Sequence, residues 1–253
     1  MLAEQRLSQI LEIIKQNDFA EVEELALLLN VSTMTIRRDL QKLDDRGLVQ
    51  RRHGGAAALS IMKNEQSYSD KKASNLREKE SIANAAEEFV KDGDSIYLDG
   101  GTTVLHTARK LKSKKNLTVV TSDLMTALEL SETDIELILI GGRLQAATKT
   151  TGGVLAVEML KKLRLTTAFI GTSSVNRDFD LFTPTPEKSC LKRTAMEISQ
   201  RCYLLADSGK FFSQSLHCWG AMSDFTGVIT DRVFSAAEKK LIKQKKIAVI
   251  SSL

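Results

Sequence analysis

From Ser95 onward, strand-length apolar runs alternate with helix-length segments, and five successive runs end in the same chemistry. Ser95-Ile96-Tyr97-Leu98 is followed by Asp99-Gly100-Gly101-Thr102-Thr103, Leu117 to Thr121 by Ser122, and Ile135 to Ile140 by Gly141-Gly142-Arg143. Thr167 to Ile170 leads into Gly171-Thr172-Ser173-Ser174, and Cys202 to Ala206 into Asp207-Ser208-Gly209-Lys210. Further strands are expected at 227–230 and 247–251, with helices at 103–112 and 123–130. This alternation predicts an α/β domain with a mainly parallel sheet covered by helices. Ligands of such sheets lie beyond the carboxyl ends of the strands. Glycine there lets the backbone approach a ligand. Free N–H groups at a helix start, with Thr and Ser hydroxyls, suit phosphate oxygens, and Lys210 can supply the neutralising charge. No G-x-x-x-x-G-K-[ST] or G-x-G-x-x-G pattern follows a strand, so neither a nucleoside triphosphate nor a dinucleotide is indicated.

The first 57 residues follow a different period. Leu7, Ile10, Leu11 and Ile14 lie at helical spacing within 5–16, and Val22, Leu25, Ala26 and Leu29 within 21–29. After the break at Asn30-Val31, Ser32 stands as a helix N-cap, and 33–45 forms a third helix with Ile36, Leu40 and Leu43 inward. A tight turn between the second and third helices makes a helix-turn-helix, whose last helix enters the major groove of DNA. Its reading residues are then Ser32, Thr33, Thr35, Arg37 and Arg38. The stretch from Gly47 to Gly55 reads as a short hairpin, a wing, on which Arg51 and Arg52 suit phosphate or minor-groove contact. His53 fits either a structural hydrogen bond or a DNA contact.

Charge placement agrees with a polyanionic partner. Arg37, Arg38, Lys42, Arg46, Arg51 and Arg52 face only Asp39, Asp44 and Asp45 between residues 37 and 53, whereas the first 31 residues are acidic. Three widely spaced cysteines without a C-x-x-C pair argue against a disulfide framework or a zinc site. With no apolar run of membrane length and no secretory pattern, a cytoplasmic protein that needs no membrane, metal or cofactor is expected.

The run Val31-Ser32-Thr33-Met34-Thr35-Ile36-Arg37-Arg38-Asp39-Leu40, with Leu43, Gly47, Leu48 and Arg52-His53-Gly54-Gly55-Ala56, resembles the signature of the DeoR family of bacterial regulators. The second half resembles that family's sensor domain through Leu98-Asp-Gly-Gly-Thr-Thr103, Thr118-Val-Val-Thr-Ser122, Ile140-Gly-Gly-Arg143, Ala168-Phe-Ile-Gly171 and Leu204-Leu-Ala-Asp-Ser-Gly-Lys-Phe211. The resemblance implies a winged helix-turn-helix at 1–57, a linker at 58–75 and a sugar-phosphate effector domain at 76–253, similar in fold to sugar-phosphate isomerases. It implies that Gly101, Thr102, Thr103 and Lys210 hold a phosphate, and that Asp99, Thr121, Ser122, Arg143 and Gly152 line the sugar. It gives Asp39 a structural charge partner. Ser122 stands where the family often has Asn. A repressor of a sugar-utilisation operon, released from double-stranded operator DNA by a phosphorylated sugar, is the implied function. A homodimer or larger oligomer would engage paired half-sites.

Two alternatives differ in kind. A working isomerase with a DNA-binding appendage needs a general base near the C1–C2 protons and a group to open the ring. The acids and the acid–histidine pair that isomerases carry after the third and fourth strands are replaced here by Gly141-Gly142-Arg143 and Gly171-Thr172-Ser173-Ser174. His106 falls in a helix and His217 in an expected late loop, leaving Asp99, Asp207 and Glu187 as possible bases. A purely structural, oligomerising second domain would not need the glycine- and hydroxyl-rich strand ends.

Overall fold

The computed structural model describes residues 2–17, 19–46, 48–52, 54–58, 61–62 and 67–252. The chain divides into two compact units, Met1–Met62 with Phe212–Gln214, and Lys63–Phe211 with Ser215–Leu253.

In the first unit, α1 (Ala3–Asn17), α2 (Val22–Leu29) and α3 (Thr33–Asp45) each bury one face, while Leu27, Leu28 and Met34 are exposed. Leu7, Ile10, Leu25, Ile36 and Leu40 meet in one buried core. Asn30 ends α2 in the left-handed region (φ 52°), which its short polar side chain tolerates. The Ser32 hydroxyl caps α3, accepting from the Thr35 amide at 3.2 Å. Ser32→Ala should therefore cost about 0.5–2 kcal/mol, read as a lower denaturant midpoint for this unit.

Three strands complete the unit: β1 (Phe19–Glu21), β2 (Val49–Arg52) and β3 (Gly55–Ala58), in the order β1-β3-β2. The hairpin expected after α3 is β2 and β3; β1 was not foreseen, and it pairs Ala20 with Ala56. Gly55 is required at that pairing, since a Cβ would collide with the Ala20 carbonyl oxygen. A two-residue strand, β4, spans Ile61–Met62.

The second unit begins with α4 (Tyr68–Ala73) and α5 (Leu76–Glu87). Then follow β5 (Ser95–Leu98), α6 (Thr102–Lys110), β6 (Thr118–Thr121), α7 (Leu124–Leu130) and β7 (Glu136–Leu139). A hairpin of β8 (Arg143–Gln145) and β9 (Thr150–Gly152) comes next, then α8 (Val154–Lys161) and β10 (Leu165–Gly171). Beyond it lie β11 (Ser174–Val175), β12 (Asp180–Thr183), α9 (Pro186–Glu197) and β13 (Ser199–Leu205). The chain continues through β14 (Gln214–Ser215), β15 (His217–Ala221), β16 (Gly227–Thr230), α10 (Ala236–Gln244) and β17 (Val249–Ser251).

Seven of these strands form one parallel sheet, ordered β17-β16-β13-β10-β5-β6-β7. All seven occupy positions expected from the apolar runs. The five inner strands are largely buried, as parallel strands under helices must be, whereas the edge strands β7 and β17 are part-exposed; Ile96, Leu98, Val119, Phe169 and Leu205 are among the core residues. Unforeseen were the β8–β9 hairpin and the antiparallel sheet β11-β12-β15. His217 starts β15, so it lies on a strand and not in a loop.

The strand order locates the site. From β5 the chain steps outward through β6 to β7, whereas β10 returns to the other flank of β5 and leads away to β13, β16 and β17. The connections after β5 and β10 therefore diverge, and an open crevice forms where the winding direction switches.

Candidate effector cavity and DNA-reading face

At that switch point lies a cleft of about 790 Å³, counting the solvent at its mouth. Asp99, Gly100, Gly101, Thr102 and Thr103 after β5 form one wall, and Gly171, Thr172 and Ser173 after β10 form another. Ser122, the β9 residues Thr150 and Thr151, and Lys210 close further sides. Thr103 and Lys210 thus share one cavity, as a common phosphate site requires. Gly101 takes φ +152° as the N-cap of α6, and its Cα faces open space. The first turn of α6 therefore opens on the cavity, where its orphan amides and positive dipole end favour an anion.

Asp99, Gly101, Thr102, Thr103, Ser122 and Lys210 line this one cavity. Thr121, Arg143 and Gly152, expected to line the sugar, lie outside that lining. The Thr121 hydroxyl is turned into the sheet and donates to the Leu98 carbonyl at 2.7 Å. Arg143 was expected on a strand-end loop, but it opens the β8–β9 hairpin, is exposed, and pairs across it with Gly152. The hairpin instead supplies Thr150 and Thr151 to the cavity.

Lys192 is the principal residue that sequence reasoning missed. It sits on α9, is 4% exposed, and its ammonium contacts the Asp99 carboxylate and donates to the Gly171 carbonyl at 2.8 Å. The Gly171 amide donates to the same Asp99 oxygen at 3.1 Å. Lys192 also stands over the Trp219 ring, 5.4 Å from its centroid. This cluster joins the loops after β5 and β10. Lys188 and Lys71 also line the cavity, giving four lysines against one carboxylate, Asp99. No histidine or glutamate lines it among the described residues.

Behind Gly101 lies a second buried carboxylate. Asp123 caps α7 by accepting from the Met125 and Thr126 amides at 2.8 and 2.9 Å, and its other oxygen accepts from the Gly101 amide at 3.2 Å. Burial raises its pKa from 3.8 to about 6, against the lowering effect of those amides. The folded protein then takes up this proton at higher pH than the unfolded chain does. Protonation adds stability as pH falls from about 6 towards 3.8, and that contribution is absent above about 6. Carboxyl-carbon resonances should show Asp123 titrating near 6, not near 4.

On the first unit, Ser32, Thr33, Arg37 and Arg38 are exposed along the start of α3, and Thr35 is half-buried. The Thr35 hydroxyl lies 2.9 Å from that of Ser32, so both belong to the cap as well as to the face. Arg37 lies 4.0 Å from Glu23. Met34, 70% exposed, is a face residue that was not foreseen, and its thioether suits a thymine methyl. Arg52 is exposed, whereas Arg51 is half-buried, with its amide on Asp44. His53 lies outside the described residues. Asp39 is buried and pairs with Arg6 at 2.5 Å, the structural partnership expected for it.

Residues 74–232 match the profile of the DeoR C terminal sensor domain, and residues 6–62 match the DeoR-like helix-turn-helix domain. The chain belongs to the DeoR family. The DeoR helix-turn-helix makes it a DNA-binding transcriptional regulator. The chain is 35% identical to FruR of Bacillus subtilis, an uncharacterized HTH-type transcriptional regulator, over 91% of this chain and 92% of that one. It is 33% identical to the glycerol-3-phosphate regulon repressor of Escherichia coli, over 90% of each chain. It is also 33% identical to the lactose phosphotransferase system repressor of Lactococcus lactis, over 93% of each. Ribose 5-phosphate isomerase A from Methanocaldococcus jannaschii aligns with 55% of each chain at a TM-score of 0.42 and 18% identity, a likeness too slight to bear on chemistry. No helix among the described residues of this DeoR protein is long and apolar enough to cross a membrane.

Proposed function

We propose that this protein represses a sugar-utilisation operon and that a phosphorylated sugar, bound in the cavity of the second unit, releases it from its operator. The observation that carries the reading is the meeting of the α6 N-terminus, the Thr102 and Thr103 side chains and Lys210 in one cavity at the switch point of the sheet. Helix amides, hydroxyls and an ammonium bind a phosphate dianion through charge-assisted hydrogen bonds. Asp99 and Ser122 at the same cavity can accept from and donate to sugar hydroxyls. Two relatives are named as the glycerol-3-phosphate regulon repressor and the lactose phosphotransferase system repressor, which supports the repressor sign.

On the first unit, Ser32, Thr33, Thr35, Arg37 and Arg38 would read the major groove, with Arg51, Arg52 and His53 on the wing. One head supplies one half-site, so a homodimer or larger assembly on a paired operator is part of the proposal.

Catalysis is not part of it. Isomerisation needs an acid–base pair at the sugar carbons. The one carboxylate in the lining among the described residues, Asp99, is in contact with the Lys192 ammonium. A thermal-shift panel of pentose, hexose, hexosamine and glycerol phosphates tests the sensor reading, with turnover measured in parallel. A rise in melting temperature with a phosphate ester, without turnover, is expected. Turnover well above background would establish the isomerase reading. A panel without any shift would remove the sensor reading.

A further inference from the structure

Helix α4 lies in the stretch that reads as a linker, yet Tyr68 and Lys71 on it line the cavity beside Gly101 and Thr102. None of its residues is buried. A helix of this length is not stable alone, and without apolar burial it depends on polar ties. Those ties run to both loops that would hold a phosphate. On one side the Thr102 hydroxyl donates to the Lys71 carbonyl at 3.4 Å. On the other, Asn75, just past the end of α4, donates through Nδ2 to the Asp207 carboxylate at 2.7 Å. Asp207 caps the turn that carries Lys210, accepting from the Gly209 amide at 3.1 Å.

The last turn of α4 is closed by Lys79 of α5, which is 1% exposed. Its ammonium donates to the carbonyls of Lys71 and Ser74. A cation on the final carbonyls of a helix satisfies orphan acceptors and its negative dipole end. Burial lowers the Lys79 pKa, and the Asp207 charge opposes that shift. Thr102, α4, Lys79, Asn75 and Asp207 thus form one polar chain from the start of α6 to the turn that carries Lys210. The Tyr68 hydroxyl is buried with no hydrogen-bond partner among the described residues, a donor left over in a wall of the cavity.

We propose that α4 is part of the effector site: Tyr68 and Lys71 contact the same anionic ligand as Thr102 and Lys210, so occupancy orders the segment through which the sensor joins the DNA-binding unit in the chain. This rests on the phosphate reading of the cavity. Ligand and α4 then stabilise each other, and a marginal segment becomes the element whose population the effector shifts. Because the coupling is reciprocal, disrupting α4 weakens the ligand as much as the ligand strengthens α4.

Amide hydrogen exchange on the full chain, with and without saturating inorganic phosphate and, in a second arm, glycerol 3-phosphate, tests this. Slowed exchange is expected at 100–104, at 208–211 and also across 68–79. Protection of the first two segments without the third would overturn the role of α4 and leave the phosphate site standing. Protection nowhere, in either arm, would remove the phosphate site and this inference with it. Lys71→Ala should weaken phosphate binding about tenfold, as loss of a charge-assisted contact does, and should remove the protection of 68–79. Unchanged affinity in the folded variant would contradict a contact from Lys71.

Discussion

Lys192→Met should destabilise the second unit by about 3–5 kcal/mol, because it leaves a buried carboxylate without its cation. The side chains of Lys192 and Asp99 are only 6% and 7% exposed, so water cannot replace the lost partner. The Gly171 amide would remain on Asp99, and one neutral donor does not offset a buried charge. The loops after β5 and β10 would also lose the ammonium that bridges them through Asp99 and the Gly171 carbonyl. Effector binding should therefore fall further than the stability loss alone requires. Adding Asp99→Asn to Lys192→Met removes the unpaired charge and should recover much of the stability, but not the binding. Denaturant midpoints of the single and double variants check the first claim, and thermal shift with a phosphate ester checks the second. Equal midpoints for Lys192→Met and the parent protein would mean the pair contributes nothing net.

Arg38→Ala should weaken operator binding by about 5–150-fold per half-site, the range for losing one guanidinium contact to a base worth about 1–3 kcal/mol. Arg38 is exposed at the start of α3, so its loss should not disturb the core of the first unit. A base contact and a phosphate contact are separable. If Arg38 reads guanine, the loss concentrates on the cognate sequence. If it binds phosphate, all sequences weaken alike and the salt dependence of log K falls by about one unit of slope. Fluorescence anisotropy on operator and scrambled duplexes at several salt concentrations distinguishes them. A variant that binds both duplexes as the parent does, at every salt, would take Arg38 out of the interface.

The parallel sheet was legible because each strand carries a short apolar run that ends in Gly, Thr, Ser or Asp. Burial on both faces enforces that pattern wherever such a strand occurs. The same feature exposed the loops after β5, β10 and β13 as a group. The sheet β11-β12-β15 was not legible: Ser174–Val175 is two residues long, and the β12–β15 register shifts between Leu181 and Phe182, which breaks strict alternation. β1 is three residues whose partner in β3 lies far along the chain, beyond any local pattern.

Asp99, Gly101, Thr102, Thr103, Ser122 and Lys210 in the lining were signalled by strand-end motifs, whereas Lys192, Tyr68 and Lys71, on helices without such a motif, were not. Lys192 follows Leu191 in a stretch with Lys188 and Arg193, where a lysine reads as part of a solvated face. Only the packing of α9 against the sheet buries it. Tyr68 and Lys71 sit in a polar stretch whose helix has no apolar face to signal it. Arg143 lies outside the lining for a different reason. Its Gly-Gly-Arg motif was real, but the chain turned there into a hairpin and carried the side chain to solvent.

One experiment bears on the whole account: titrating phosphate esters into operator-bound protein, with the parent chain and Lys210→Ala side by side. The account predicts that at least one sugar phosphate dissociates the parent from DNA, while Lys210→Ala stays bound at concentrations that release the parent. Release of both proteins along the same titration curve would contradict it.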